Sequence, residues 1–216
     1  MRRWSLAAVG VVTLWSGAAA QSRSVTVSMS LDTATNRTGG RKPIISLRGL
    51  LADTRWYEAL ENSLPIVVSY SLETWRSRDG WIDEFSGLVE WQAIVIKEPL
   101  QEEYAITRIA GGRPERPLRF AVRDSAIREL DKPQRVEWMP QRPGRFYYTL
   151  SVRITALSDR DMDQLERFLA GDPTLETPEP GTTVGRGIRR FLLRIAGLPS
   201  QVLGARSEQF DVKPDN

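Results

Sequence analysis

The sequence predicts a mainly β fold, an antiparallel, sandwich-like sheet arrangement carrying three or four short helices. Three observations carry this expectation. Apolar and polar residues alternate at a period of two in several separate runs, the pattern of strands with one buried face. Gly, Pro and Asp-Gly turn signals punctuate those runs at short intervals. The connections between the central runs are too short for parallel crossovers, so neighbouring strands must run antiparallel. Interposed helical stretches make α+β the rival description.

The first 20 residues stand apart from this pattern. Arg2 and Arg3 precede an apolar run from Trp4 to Trp15, and Ala18-Ala19-Ala20 follow. A charged start, a short apolar run and small residues at Ala18 and Ala20 read as a secretory signal cleaved near Ala20. The run holds about a dozen residues, whereas a spanning helix needs about 20. Residues 21–216 then read as one β-rich domain, periplasmic or secreted.

The domain begins with alternation over Ser24 to Leu31, where Val25, Val27, Met29 and Leu31 share a face. Asn36 to Lys42 holds Gly39-Gly40 and reads as a turn. Ile44 to Leu51 is a second strand. Asp53 or Thr54 caps a short helix through Trp56, Leu60 and Glu61. Pro65 closes that helix and opens a strand with Ile66, Val68, Tyr70 and Leu72 on one side. Ser77-Arg78-Asp79-Gly80 is a hairpin turn, with Gly80 free to take positive φ. Leu88 to Ile96 and Glu103 to Ile109 complete an antiparallel meander, separated at Pro99 and ended by Gly111-Gly112.

From Pro117 to Leu130, the apolar residues Leu118, Ala121, Val122, Ile127 and Leu130 fall mostly on one helical stripe. Gln134 to Trp138 reads as a short edge strand. Arg145 to Leu157 has the cleanest alternation in the chain, with Phe146, Tyr148, Leu150, Val152 and Ile154 inward and Tyr147, Thr149 and Ser151 outward. A helix over 158–171, a Pro-bearing loop over 172–185, an amphipathic helix over 186–198 and a strand over 201–212 finish the reading.

Composition excludes several function classes. Loss of Arg2 and Arg3 with the signal takes the formal charge from +3 to +1. So small a charge steers polyanions weakly, and no nucleic-acid partner is expected. The chain has no Cys and no His. That removes disulfides, thiolate nucleophiles, Cys or His metal ligands and the Ser-His-Asp triad. Asp159, Asp161, Asp163 and Glu166 mimic the start of a calcium loop. Gln164 stands where that loop needs Gly, and Ala170 where it needs a carboxylate. No catalytic residue, metal site or cofactor is expected. A hydrolase would need two facing carboxylates. Asp83 with Glu84 and Glu102 with Glu103 are such pairs only in sequence.

Two clusters remain as candidate binding surfaces. One is the hairpin turn, with Trp75, Arg76, Trp81 and Asp83, whose aromatics and arginine suit a protein or glycan surface. The other is the 186–198 stretch, where Arg186, Arg189, Arg190 and Arg194 flank Ile188, Phe191 and Ile195. It reads as a helix docked on the domain or a partner, with contact to an anionic membrane surface the less favoured alternative.

The run Trp56-Tyr57-Glu58-Ala59-Leu60-Glu61-Asn62-Ser63-Leu64-Pro65, followed by Glu73, Arg76, Trp81 and Asp83, resembles an uncharacterised family of exported bacterial proteins. That family is a domain of unknown function whose members are described as proline-rich signal-peptide proteins. Ser63 stands where the family tends to have Gly. The resemblance implies an envelope location and gene neighbourhoods that contain a membrane sensor kinase, and it brings no catalytic residues. Together these readings point to an exported, non-catalytic binding or accessory protein acting on an envelope protein partner. A glycan-binding module using the loop aromatics and a carboxylate hydrolase are the alternatives.

Overall fold

The computed structural model describes residues 24–156 and 200–214. These form eleven strands and two α-helices, and every strand pairing is antiparallel. The expected signal over 1–20, the expected helices over 158–171 and 186–198 and the expected loop over 172–185 lie outside the described residues.

A small sheet opens the chain. β1 (Thr26–Thr35) pairs with β2 (Arg41–Arg48), and β2 pairs with β8 (Gln134–Arg135). Along β1 and the residue before it, the serines are exposed while Val25 and Leu31 are buried, as the alternation requires. The expected strand over Ile44 to Leu51 stops early, at Arg48. Gly49 takes the left-handed conformation with φ 80°, and Leu50–Ala52 wind into a 3-10 turn that buries Leu50 and Leu51.

Helix α1 (Thr54–Glu61) follows. The Asp53 side chain caps it, accepting the Arg55 N–H at 3.0 Å. At its other end the Ser63 N–H donates to the Leu60 carbonyl, and the Leu64 N–H to that of Ala59. This paired closure needs a left-handed residue between Asn62 and Leu64, and Ser63 supplies it at φ 61°. The buried residues of α1 are Trp56 and Leu60.

The large sheet is built from β3 (Ile66–Ser77), β4 (Glu84–Glu98), β5 (Glu103–Ala110), β6 (Arg113–Pro114), β7 (Leu118–Phe120), β9 (Gly144–Ala156), β10 (Ser200–Arg206) and β11 (Phe210–Val212). Its order is β10-β9-β3-β4-β5-β6, with β11 also on β9 and β7 also on β5. The meander β3-β4-β5 matches the expectation. The helix expected over Pro117 to Leu130 is only half helical. Leu118–Phe120 pair with the open edge of β5, and α2 is confined to Arg123–Leu130. Pairing there satisfies backbone groups that a longer first turn would leave free. The single strand expected over 201–212 is split, because Ser207 turns the chain by exchanging hydrogen bonds with the Tyr148 backbone. Ser200 lies opposite Thr155, so the chain leaves β9 and re-enters β10 at neighbouring positions.

Both sheets, the 3-10 turn and both helices contribute to one buried apolar cluster. It includes Ile45 and Leu47 of the small sheet, and Ile66, Val68, Leu72, Phe146, Leu150, Val152 and Ile154 of the large one. Tyr148 ties the two sheets together. It is fully buried, stacks on Phe210 at 5.3 Å between ring centres, and donates its hydroxyl to the Arg41 carbonyl at 2.9 Å. Among the described residues no helix is long and apolar enough to cross a membrane.

Candidate binding surface at the hairpin tip

The β3–β4 hairpin carries the Trp75 to Asp83 cluster. Its turn closes with Gly80 at φ 77° and the Trp81 N–H donating to the Arg78 carbonyl. Alternation along β3 sends Trp75 and Arg76 to opposite faces. On Trp75's face the register makes a row of aromatics: Tyr147 of β9 opposite Trp75, and Phe85 of β4 opposite Trp75 on the other side. Trp75 meets Phe85 edge to face with ring centres 5.6 Å apart, and its indole N–H donates to Glu73 at 2.9 Å. The Arg206 guanidinium lies 3.8 Å from the centre of the Tyr147 ring, a cation–π contact.

Asp83 fixes the tip to this row. It accepts the Tyr147 hydroxyl at 2.7 Å and the Arg78 backbone N–H at 3.3 Å. Those bonds, the Tyr147 one foremost, hold its carboxyl below the usual range. Burial, with the Asp83 bond adding to it, raises the Tyr147 phenol. The tip is therefore anchored, yet Trp81 is 79% exposed and Ile82 90% exposed. Phe85 and Leu88, along β4, are 53% and 46% exposed.

The four expected residues do not converge on one pocket. Trp75 is half-buried in the row, Trp81 projects into solvent, and Asp83 is turned inward. Arg76 lies in a cleft of about 530 Å³ with Arg78, Asp79, Gly144, Arg145 and Asp211. Its charges are matched internally. Arg76 and Arg78 pair with Glu84, and Arg145 with Asp211 at 3.4 Å. Sequence reading missed Tyr147, Phe85 and Ile82 as parts of this surface. The signal available was the outward position of Tyr147 in the alternation. The second candidate cluster, Arg186, Arg189, Arg190 and Arg194, lies outside the described residues.

Among the described residues no group of three or more acidic side chains is placed to hold a metal ion. The displaced carboxyls there are Glu61, Asp83, Glu129 and Glu137, and all are shifted downward. Lys97 donates to Glu61, and Lys42 to Glu137. At Glu129 burial works the other way, but Lys132 and Arg108 outweigh it. Glu84 and Glu103 pair with arginines. No protein-family model, curated protein or solved structure matches the chain.

Proposed function

We propose that this is an exported, non-catalytic binding protein of the bacterial envelope that receives a protein partner on the hairpin tip, beside a membrane sensor. The observation that carries the reading is Trp81 with Ile82, two large apolar side chains held in water on an anchored turn. Burying such side chains costs little ordering entropy when their backbone is already fixed, which is how interface anchors gain their energy. The family resemblance supports the location. The shared core supports packing of the two sheets as a sandwich.

The test is site-directed photocrosslinking in cells from position 79, at the tip. A discrete adduct with another envelope protein is expected. Trp81→Ser with Ile82→Ser should abolish it while leaving Tm unchanged. No adduct, or one indifferent to both substitutions, would overturn the reading. Quenching of Trp81 fluorescence by envelope glycans, lost in Trp81→Ala, would assign the surface to a glycan instead.

A further inference from the structure

β4 is 15 residues long, but β5 covers only its second half. The last β4–β5 pair is Trp91 with Ala110. There Gly111 and Gly112, at φ 56° and 75°, turn the chain back into β6. The first half of β4, Glu84–Glu90, pairs with β3 on one side. On the other side no described strand pairs with it. Seven residues of strand edge span roughly 24 Å. They lie in the lane that β5 would have filled had it continued.

This edge carries only part of the usual protection, a bulge and the charges of Glu84 and Glu90. It is not short, it contains no Lys or Pro, and it exposes Phe85 and Leu88. A bulge at Ser86, between the Thr74–Gly87 and Trp75–Phe85 pairs, adds twist near the tip. Gly87 to Glu90 continue the β5 lane in regular register. The strand is also backed. A Cβ at Gly87 would come within 2.6 Å of the Trp138 ring, whose indole N–H donates to buried Thr74 at 2.9 Å. An edge fixed in this way needs little further ordering to accept a strand.

From this we infer that the β4 edge from Glu84 to Glu90 is a strand-addition site for an extended peptide segment of a protein partner that sets a basic and an apolar side chain two residues apart on one face, opposite Glu90 and Leu88. The inference builds on the proposed function by placing a second contact beside the Trp81–Ile82 tip. Backbone pairing supplies the affinity in this mode, and side chains on alternate positions supply the choice of partner. Charge selects against a second copy of the chain. The edge of a second copy carries Glu84 and Glu90 and no Lys or Arg, so it can bring no positive charge to Glu90. Glu90 is exposed and has no cationic partner among the described residues. A Lys or Arg from the added strand meets that need.

The probe is a synthetic eight-residue peptide with Lys and Val two residues apart on one face and Thr on the other, added to the mature protein and read by amide hydrogen exchange and fluorescence anisotropy. Slowed exchange confined to Glu84–Glu90 is expected. Glu90→Lys and Leu88→Lys should each weaken binding at least tenfold. The same peptide N-methylated at alternate residues keeps charge and apolarity but cannot pair, so it should not bind. Protection elsewhere, or equal binding of the N-methylated peptide, overturns the inference. A concentration-dependent dimer abolished by Leu88→Lys would assign the edge to a second copy and also overturn it. Peptide binding without any cross-link from position 79 would leave the edge standing and sink the tip. A cross-link indifferent to Leu88→Lys and Glu90→Lys, with no peptide protection, would do the reverse.

Discussion

Ser63 shows how one backbone angle can be satisfied by an unsuited residue. Its φ of 61° closes α1, and an L side chain pays roughly 1–2 kcal/mol for that conformation whereas Gly pays almost none. Ser63→Gly should therefore stabilise the domain by about 1 kcal/mol, less a few tenths for the looser unfolded chain. The shift in Tm should be about 2–4 °C. Calorimetry on both forms checks this; no increase would mean that the hydroxyl or the unfolded state compensates. Asp83 gives a pH-dependent counterpart. Its folded pKa is depressed by the Tyr147 hydroxyl and the Arg78 N–H. The anchoring it provides is thus complete above the unfolded carboxyl value and is lost as pH falls through the folded one. The NMR shift of the Trp81 indole N–H should move in acid with a midpoint below about 3.9, the ordinary Asp value. Asp83→Asn should flatten that titration. A midpoint at or above the ordinary value would mean that the bonds to Asp83 are not made in solution.

Elements differed in how much of them the sequence exposed. β9 was legible but for one position: Phe146 to Ile154 alternate and their apolar residues are buried, yet Tyr147, expected to face outward, is buried too, with Arg206 over its ring. Helix α1 was legible from Asp53 and Pro65, which punctuate it at both ends. Leu118–Phe120 were not, because their state depends on an edge of β5 that exists only after the sheet has formed, and tertiary pairing overrode the helical stripe. The same limit applied to the binding surface. Trp81 and Asp83 could be placed on the turn from Asp79-Gly80. The Tyr147–Trp75–Phe85 row required the register of three strands, two of them about 70 residues apart in sequence. Arg76 was misplaced for a simpler reason: adjacency in a strand means opposite faces.

At the scale of the whole molecule, the large sheet depends on distant pairing. β3 sits at its centre, between β4 and β9. Its alignment on β9, from Ile66–Ala156 to Ser77–Arg145, joins segments separated by five intervening strands and a helix. Such non-local ladders are slow to assemble because loop closure precedes the reward of pairing. The β9–β10 junction behaves differently. Since Thr155 and Ser200 are already opposite one another, the span 157–199 connects positions that a three-residue turn, Ala156 and two more, would also connect. Closing the shorter loop is entropically easier by roughly 2–3 kcal/mol. Replacing 157–199 with Asn-Gly should leave the β9–β10 ladder intact, with the amides of Val152 and Ile154 still slow to exchange. Loss of that protection would show that the ladder needs the excised span. Topologically, then, this junction is a socket. If the ladder survives that excision, residues can be removed there, lengthened or exchanged for a foreign module, and the frame and whatever it carries at that point are free to diversify separately.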